Sequence, residues 1–397
     1  MTSKEKHAHA ARVLSRRDFL KLGAGGLAAL AGGALTGCRL AAPDPAPTYA
    51  PIPTAEPQPA TQPPPTWTPT PLAPTPLPPD YTPVPATPTS PPVPTTETAP
   101  PLSRAALMAH WPETATSRVV LVRHGGVWDG DTPNPAAVLQ MLDTGIGALA
   151  DTPDALAVWR ALFDPGERVL LKVNCIAYGG PTQPAVAYAV AQRLQDAGLA
   201  AENVLIFDRT DRELGAAGYT LNEGGSGVQC HGTRGDGTGA ALSQATVRFY
   251  QEFDAYDAIV NIPTPKEHGT AGISVAMKNH YGSINRPGAL HGGRCDPGVA
   301  ELNAQPTIRD KTRLVVGAAL KVSPGDWNRP EREDALLLSF DPVALDTVAR
   351  DILVRHRQDK GMGVDSLIEG APQLNTAQTL KLGATETELI DLREVVL

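Results

Sequence analysis

Cysteine is scarce in this sequence, with four among 397 residues. No two of them stand in the C-x-x-C spacing of ferredoxin-type clusters, so the sequence does not support an iron-sulfur cofactor. Cys38 lies near the N-terminus, and the other three are Cys175, Cys230 and Cys295. Outside a cell, these three would allow one disulfide with one thiol left over.

Basic residues are also too few for a nucleic-acid-binding protein. The chain has 34 Lys and Arg against 42 Asp and Glu, a formal net charge of −8. Residues 1–37 hold six basic and two acidic residues, so the remainder is close to −12. A nucleic-acid binder needs a basic face, and we therefore predict no nucleic-acid partner.

Several common catalytic motifs are missing. There is no H-E-x-x-H sequence and no P-loop, and Ala240 stands where the run Gly235–Gly239 would need the third glycine of a dinucleotide loop. The glycines of the segment 224–227 do not have the spacing of a nucleophile elbow. The sequence thus lacks the signatures of zinc peptidases, P-loop enzymes and serine hydrolases.

The apolar stretch of residues 22–34 is too short and too rich in Gly and Ala to span a bilayer. It follows S-R-R-D-F-L-K at residues 15–21 and precedes L-T-G-C at residues 35–38. This order is typical of a twin-arginine signal that ends in a lipoprotein cleavage box. We predict a signal peptide over residues 1–37, recognised by the twin-arginine export machinery.

Cleavage there would leave Cys38 as the first residue, with a lipidated thiol that anchors the protein in the membrane. The expected location is the outer face of the cytoplasmic membrane. An uncleaved membrane anchor is the alternative interpretation of the same residues.

Proline is concentrated in one part of the chain. Of 40 prolines, 24 lie between Pro43 and Pro101, among Thr and Ala with almost no charge. Such a stretch cannot bury a core, so residues 38–102 are predicted to form a disordered, polyproline-like tether. The 295 residues that remain, 103–397, suffice for a single large domain.

The pattern of this domain predicts an α/β fold with a mostly parallel, helix-covered sheet. Its apolar runs are continuous rather than alternating, as expected of strands buried on both faces. The predicted strands are 119–122, 169–173, 204–207, 258–260, 314–316 and 336–338. Helical patterns lie between them, including 183–197, which ends at Gly198, and one opened by Asp341 as a cap. Asp346, one turn further on, could orient a lysine.

Polar side chains stand at or just after the ends of three predicted strands. Ligands of open α/β sheets bind outside the carboxyl ends of the strands. We therefore expect four residues to contact a substrate: Lys172, Asn174, Asp208 and Asn261.

The richest polar segment covers residues 261–294. We expect Lys266 and Lys278 to hold a small carboxylate or phosphate compound, and Asn279 to form a hydrogen bond with it. His268 or His291 would move a proton. The predicted catalytic residues are therefore His268, Lys278 and His291, with Lys266 and Asn279 as binding residues.

A metal site is an alternative interpretation of the same segment. His268, His280 and His291 could supply three imidazoles, which would suit zinc or nickel. Their separations are long, and a lysine ammonium close by would repel a divalent cation. Anion binding is the favoured interpretation, and neither a metal nor another cofactor is assigned.

Several motifs make the chain resemble a known family, domain of unknown function 362. They are Leu170–Asn174, Tyr256–His268, Ala276–Gly282 and Asp341–Asp346. The resemblance covers most of residues 119–392 and implies an α/β domain with Lys266, His268, Lys278, Asn279 and His291 in the working site. Many relatives carry an attached ferredoxin-like segment. This sequence lacks that cysteine run, so a cluster is not transferred.

Three functions remain open from the sequence. The first is an extracytoplasmic enzyme that acts on a small anion, and the second is a solute-binding or sensing lipoprotein that binds such an anion without reaction. The third is a metal or redox protein, because twin-arginine export carries folded and often cofactor-loaded cargo.

Overall fold

A computed structural model describes residues 102–108, 116–176, 180–326 and 328–397. The predicted signal peptide, the predicted lipidation site Cys38 and the predicted tether up to residue 101 lie outside the described residues.

Fourteen strands and twelve α-helices lie in the described part of the chain. The strands are β1 (Ser117–Arg123), β2 (Trp128–Asp129), β3 (Thr132–Pro133), β4 (Val169–Val173), β5 (Val204–Phe207), β6 (Gln229–Cys230), β7 (Asp236–Ala241), β8 (Thr246–Tyr250), β9 (Ala258–Ile262), β10 (Lys266–His268), β11 (Gly272–Ser274), β12 (Thr312–Val322), β13 (Glu331–Ser339) and β14 (Ile390–Val396). The α-helices are α1 (Arg104–Met108), α2 (Pro135–Leu149), α3 (Ala155–Leu162), α4 (Pro184–Asp196), α5 (Asp211–Ala216), α6 (Glu252–Ala255), α7 (Ala276–Asn279), α8 (Gly298–Asn303), α9 (Pro306–Arg309), α10 (Pro342–Gln358), α11 (Asp365–Ile368) and α12 (Gln373–Thr379).

Eight strands form the central sheet, in the order β14-β1-β13-β12-β9-β4-β5-β6. Five neighbouring pairs are parallel, and β13 is antiparallel to both β1 and β12. The predicted α/β class with a mostly parallel sheet is confirmed. The antiparallel insertion of β13 was not expected, because residues 336–338 show the same continuous apolar run as the parallel strands.

Each face of this sheet carries its own hydrophobic core. Successive side chains of a strand point to opposite faces, so Val120 and Val122 enter one core while Val119 and Leu121 enter the other. The first core includes buried side chains of α2, α3 and α4, and the second includes those of α10 and α12. Burial on both faces explains why these strands are apolar throughout.

Helix α10 begins as the sequence predicted. The carboxylate of Asp341 accepts hydrogen bonds from the backbone amides of Val343 and Ala344 at 2.8 and 2.9 Å, and Pro342 occupies the first turn. The same carboxylate accepts from the amide of Ala384 and from the hydroxyl of Ser117. This one cap therefore ties α10 to β1 and to the loop before β14.

None of the helices in the described part of the chain combines the length and the apolar character needed to cross a bilayer. The three cysteines in this part are buried thiols without a disulfide.

Candidate functional site

A cavity of about 220 Å³ opens at the carboxyl ends of β4 and β5. Eight of the nine side chains predicted from the sequence to bind a ligand or take part in catalysis line this cavity. They are Lys172, Asn174, Asp208, Lys266, His268, Lys278, Asn279 and His291. The register explains this convergence, because Lys172 in β4 lies opposite Phe207 in β5, directly before Asp208, and opposite Asn261 in β9.

An ion pair forms the floor of the cavity. The ammonium of Lys172 donates to Asp208 Oδ1 at 2.9 Å, to the backbone carbonyl of Val173 at 2.6 Å and to Asn279 Oδ1 at 3.2 Å. Both charged side chains are almost fully buried, at 1% and 3% exposure. Three acceptors use the three hydrogens of this ammonium, so Lys172 and Asp208 form a neutral, internally satisfied pair.

The backbone holds Asp208 in place from the other side. Its carboxylate accepts from the amides of Cys175 at 2.6 Å and Arg209 at 2.9 Å. Gly282 lies directly over the pair, since a Cβ at that position would stand 2.9 Å from Asp208 Oδ1 and from Lys172 Nζ. A glycine is therefore needed for this close approach.

Asn261 lies beneath the cavity and not on its wall, which differs from the expected contact with a ligand. Its amide nitrogen donates to the carbonyl of Ala276 at 2.8 Å and to His280 Nε2 at 3.2 Å. Its amide oxygen accepts from Asn279 Nδ2 at 2.8 Å. Asn261 thus positions Asn279, whose oxygen in turn accepts from Lys172 and whose nitrogen also donates to the Lys172 carbonyl.

Two further lysines face the cavity without a carboxylate partner among the described residues. Lys266 is 2% exposed, and its ammonium donates to Asn174 Oδ1 at 2.6 Å and to the Ile176 carbonyl at 3.4 Å. Lys278 is 8% exposed, and its Nζ lies 4.1 Å from the centre of the Tyr281 ring. Burial lowers the pKa of each lysine to about 8, because the charged form loses its hydration.

Two histidines lie next to these lysines, with ring centres 5.7 Å apart. His268 Nδ1 accepts from the amides of Thr270 and Ala271, both at 3.1 Å, so the ring hydrogen is on Nε2. His291 Nδ1 lies 3.0 Å from the carbonyl of Pro287, which can only accept, so this ring carries its hydrogen on Nδ1 and a lone pair on Nε2. The two imidazoles therefore have opposite tautomers.

Burial and the charge of Lys278 keep both rings neutral. They lower the pKa of His268 to about 3 and also lower the pKa of His291. The rings of His291 and Tyr281 also pack edge to face, with 5.2 Å between their centres. At neutral pH, His268 is thus a donor at Nε2 and His291 an acceptor at Nε2.

Asp346 fixes the helix that carries Lys278. Its fully buried carboxylate accepts from the amides of Ala276 at 2.6 Å and Met277 at 3.1 Å, at the start of α7. Burial raises the pKa of Asp346 to about 8. The sequence suggested that Asp346 could orient a lysine. In the structure, its carboxylate binds the backbone amides just before Lys278 and does not contact the ammonium.

Tyr281 belongs to the motif around Lys278, but the sequence alone does not assign it to the site. It lines the cavity and contacts both Lys278 and His291, while its hydroxyl donates to the Leu290 carbonyl at 2.6 Å. The signal in the sequence was its spacing of three residues from Lys278, which places two side chains on one side of a helical turn.

His280 does not join the other two imidazoles. It is fully buried below the cavity, with Nδ1 3.0 Å from Ser283 Oγ and Nε2 accepting from Asn261. The three-imidazole metal site is therefore not assembled. Within the described ranges, no group of three or more His, Cys, Asp or Glu side chains is placed to hold a metal ion.

The thiols do not suit an iron-sulfur cluster either. Burial raises the pKa values of Cys175, Cys230 and Cys295, which disfavours the thiolate that such a cluster needs. Cys175 follows β4, Cys230 ends β6 and Cys295 lies in the loop before α8. The donors in the described part of the chain therefore do not fit that cofactor.

Comparison with known proteins gives one family. A model described as Domain of unknown function (DUF362) matches residues 169–351, from the start of β4 into α10. The matched segment contains all the side chains named above as lining the cavity. No curated protein matches the chain.

Proposed function

We propose that the domain binds a small carboxylate or phosphate compound and transfers a proton to or from it, in the cavity formed within residues 169–351, the segment that matches the family model described as Domain of unknown function (DUF362). The observation that carries this proposal is the pair of buried lysines, Lys266 and Lys278, which face one cavity without a carboxylate partner in the described residues.

The balance of charge favours an anion. Lys172 and Asp208 neutralise each other, so Lys266 and Lys278 leave the cavity with an excess of positive charge. Buried charges are normally paired, because an isolated one loses its hydration without compensation. A bound carboxylate or phosphate would supply the missing negative charge and accept hydrogen bonds from both amines.

The size of the cavity suits a small molecule. A cavity of about 220 Å³ has room for an organic acid of a few carbon atoms.

Proton transfer is assigned to His291. Its neutral ring has an accepting Nε2, and the hydrogen bond from Nδ1 to the Pro287 carbonyl fixes that tautomer. A neutral imidazole of this kind can act as a general base near neutral pH. His268, with its hydrogen on Nε2, would serve as a hydrogen-bond donor beside it.

The binding proposal is tested with the full-length protein by thermal unfolding in the presence of acetate, pyruvate, lactate, oxalate and phosphate. We expect the melting temperature to rise with the concentration of at least one of these anions and then to level off. The Kd derived from this rise should be at least tenfold higher for Lys266→Met. Lys321→Met is the matched control, because Lys321 lies over the Trp128 ring outside the cavity. Equal responses of both variants and the unaltered protein to all the anions would refute the site.

Conversion is tested separately from binding. The protein is incubated with a stabilising anion that has carbon-bound hydrogen (acetate, pyruvate or lactate), and the mixture is followed by mass spectrometry and by exchange of that hydrogen in deuterated water. We expect deuterium to enter the ligand, and His291→Gln to slow this exchange while the anion still binds. Stabilisation without exchange would indicate a solute-binding protein.

We further propose that the protein is an exported lipoprotein, anchored by Cys38 on the outer face of the cytoplasmic membrane. The twin-arginine sequence and the cleavage box at residues 15–38 support this location. Arg16→Lys with Arg17→Lys should retain the protein inside the cell. Cys38→Ser should abolish lipid attachment, measured by mass spectrometry of the membrane fraction, and an unchanged mass of the membrane-bound protein would refute the anchor.

A further inference from the structure

The two lysines of the cavity differ in how their amines are held. Lys266 Nζ has two protein acceptors, Asn174 Oδ1 at 2.6 Å and the Ile176 carbonyl at 3.4 Å. For Lys278 Nζ, the described residues provide no hydrogen-bond acceptor and no carboxylate, and its contact is the face of Tyr281. Two protein acceptors thus hold the Lys266 amine in place, whereas the Lys278 amine is available for bond formation.

Resting on the proposed function, we propose that Lys278 is a nucleophile that forms a Schiff base with the carbonyl group of a small 2-oxo acid, while Lys266 binds its carboxylate. The geometry supports this division, since both amines face the same small cavity and His291 presents a lone pair there. A cavity of about 220 Å³ accommodates a molecule of the size of pyruvate.

The chemical step requires no further reactant. The neutral amine of Lys278 attacks the carbonyl carbon, and the electron pair of the C=O bond moves to the oxygen. One proton leaves the nitrogen and reaches that oxygen, with His291 Nε2 as the carrier. Loss of water from this carbinolamine then gives the imine, so an amine and a carbonyl yield an imine and one water.

The surroundings favour the neutral amine that this step needs. Lys278 is 8% exposed, and burial lowers its pKa to about 8, so about half of it is uncharged at pH 8. An exposed lysine would be uncharged to well under one per cent at that pH. The contact with Tyr281, together with the hold of Asp346 on the start of α7, fixes where the amine lies.

The test is reductive trapping of the full-length protein with pyruvate and cyanoborohydride, followed by peptide mapping. We expect one peptide, the one containing Lys278, to gain the mass of pyruvate less one oxygen atom. The rate of trapping should level off above about pH 8, while trapping of exposed lysines keeps rising. Lys278→Met should abolish the modification at this site, and Lys321→Met should leave it unchanged.

Lactate, which has the same carboxylate and lacks the carbonyl, separates the two proposals. Stabilisation by both pyruvate and lactate without trapping at Lys278 would overturn the Schiff base and leave the anion site intact. No stabilisation by any anion and no trapping would overturn both. Modification of Lys266 in place of Lys278 would also refute the assignment, and melting curves of each variant show that it is folded.

Discussion

Replacing Lys278 by Met should stabilise this protein, although it removes a residue of the proposed site. Burial lowers the pKa of this lysine from its ordinary value of 10.5 to about 8. Because a tenfold change in an equilibrium constant corresponds to 1.36 kcal/mol, the folded state carries a cost of about 3 kcal/mol for this ammonium below pH 8. The contact with Tyr281 returns about 0.5–2 kcal/mol, so the net gain from Met is about 1–3 kcal/mol.

The sign of the pH dependence follows from the lowered pKa. Between the folded value of about 8 and the unfolded value of 10.5, the unfolded chain binds more protons, so the unaltered protein gains stability as pH rises. The advantage of Lys278→Met should therefore be full below pH 8 and disappear by about pH 10.5. Urea unfolding of the full-length protein at steps from pH 6 to pH 10.5 measures this difference.

Lys172→Met is the matched comparison at the same cavity. It leaves the carboxylate of Asp208 buried without its partner, so we expect a loss of about 3–5 kcal/mol in the free energy of unfolding. Stabilisation by Lys278→Met together with destabilisation by Lys172→Met would support the assignment of Lys172 to an ion pair with Asp208 and of Lys278 to a functional amine. Destabilisation by Lys278→Met below pH 8, or an effect that does not vary with pH, would refute the reasoning.

Three further predictions concern stability and the shape of the site. Asp341→Ala should lower the free energy of unfolding by about 3 kcal/mol or more, because this carboxylate accepts hydrogen bonds from three amides and a hydroxyl. Asp154→Ala removes an exposed helix cap that accepts from one amide, and it should cost about 1 kcal/mol. Denaturant unfolding measures both losses, and equal values would contradict the reasoning. Gly282→Ala should disturb the ion pair of Lys172 and Asp208 beneath it and lower the affinity for an anion. Gly288→Ala is the control, because its Cβ would meet nothing within 4 Å, and it should change neither property. Similar Kd values for the two variants would count against the close contact of Gly282 with the ion pair. Glu333 and Glu331 raise the pKa of His356, so the charged imidazole stabilises the folded protein. His356→Gln should therefore lower the free energy of unfolding most below pH 6.5, and this loss should shrink as the pH rises through the pKa of His356 in the folded protein. A loss that does not vary with pH would argue against the pairing of His356 with the two glutamates.

The sequence predicted much of the sheet because its strands are buried on both faces. The bounds of 169–173 and 204–207 coincide with β4 and β5, since their apolar runs begin and end with the strands. The order of strands depends on pairings across long separations, which no local pattern encodes. For this reason the antiparallel position of β13 could not be read from residues 331–339.

The candidate site can be predicted from the sequence where a polar residue stands at the end of a predicted strand. Lys172 and Asp208 are predicted in this way, because the carboxyl ends of parallel strands meet at one edge of the sheet. Their mutual pairing could not be predicted, because it depends on side-chain directions in three dimensions. The same holds for Asn261 and His280, which are polar residues of the right type that serve as supports beneath the cavity.

The pairing of β1 has a consequence for the way this chain must fold during synthesis. Val119 pairs with Ser339 in β13 and with Leu392 in β14, both made near the end of translation. Until the ribosome has released those residues, β1 has neither neighbour and exposes two unpaired edges. A nascent chain that stalls before β14 would therefore be prone to aggregate, and removal of the last eight residues should yield insoluble protein.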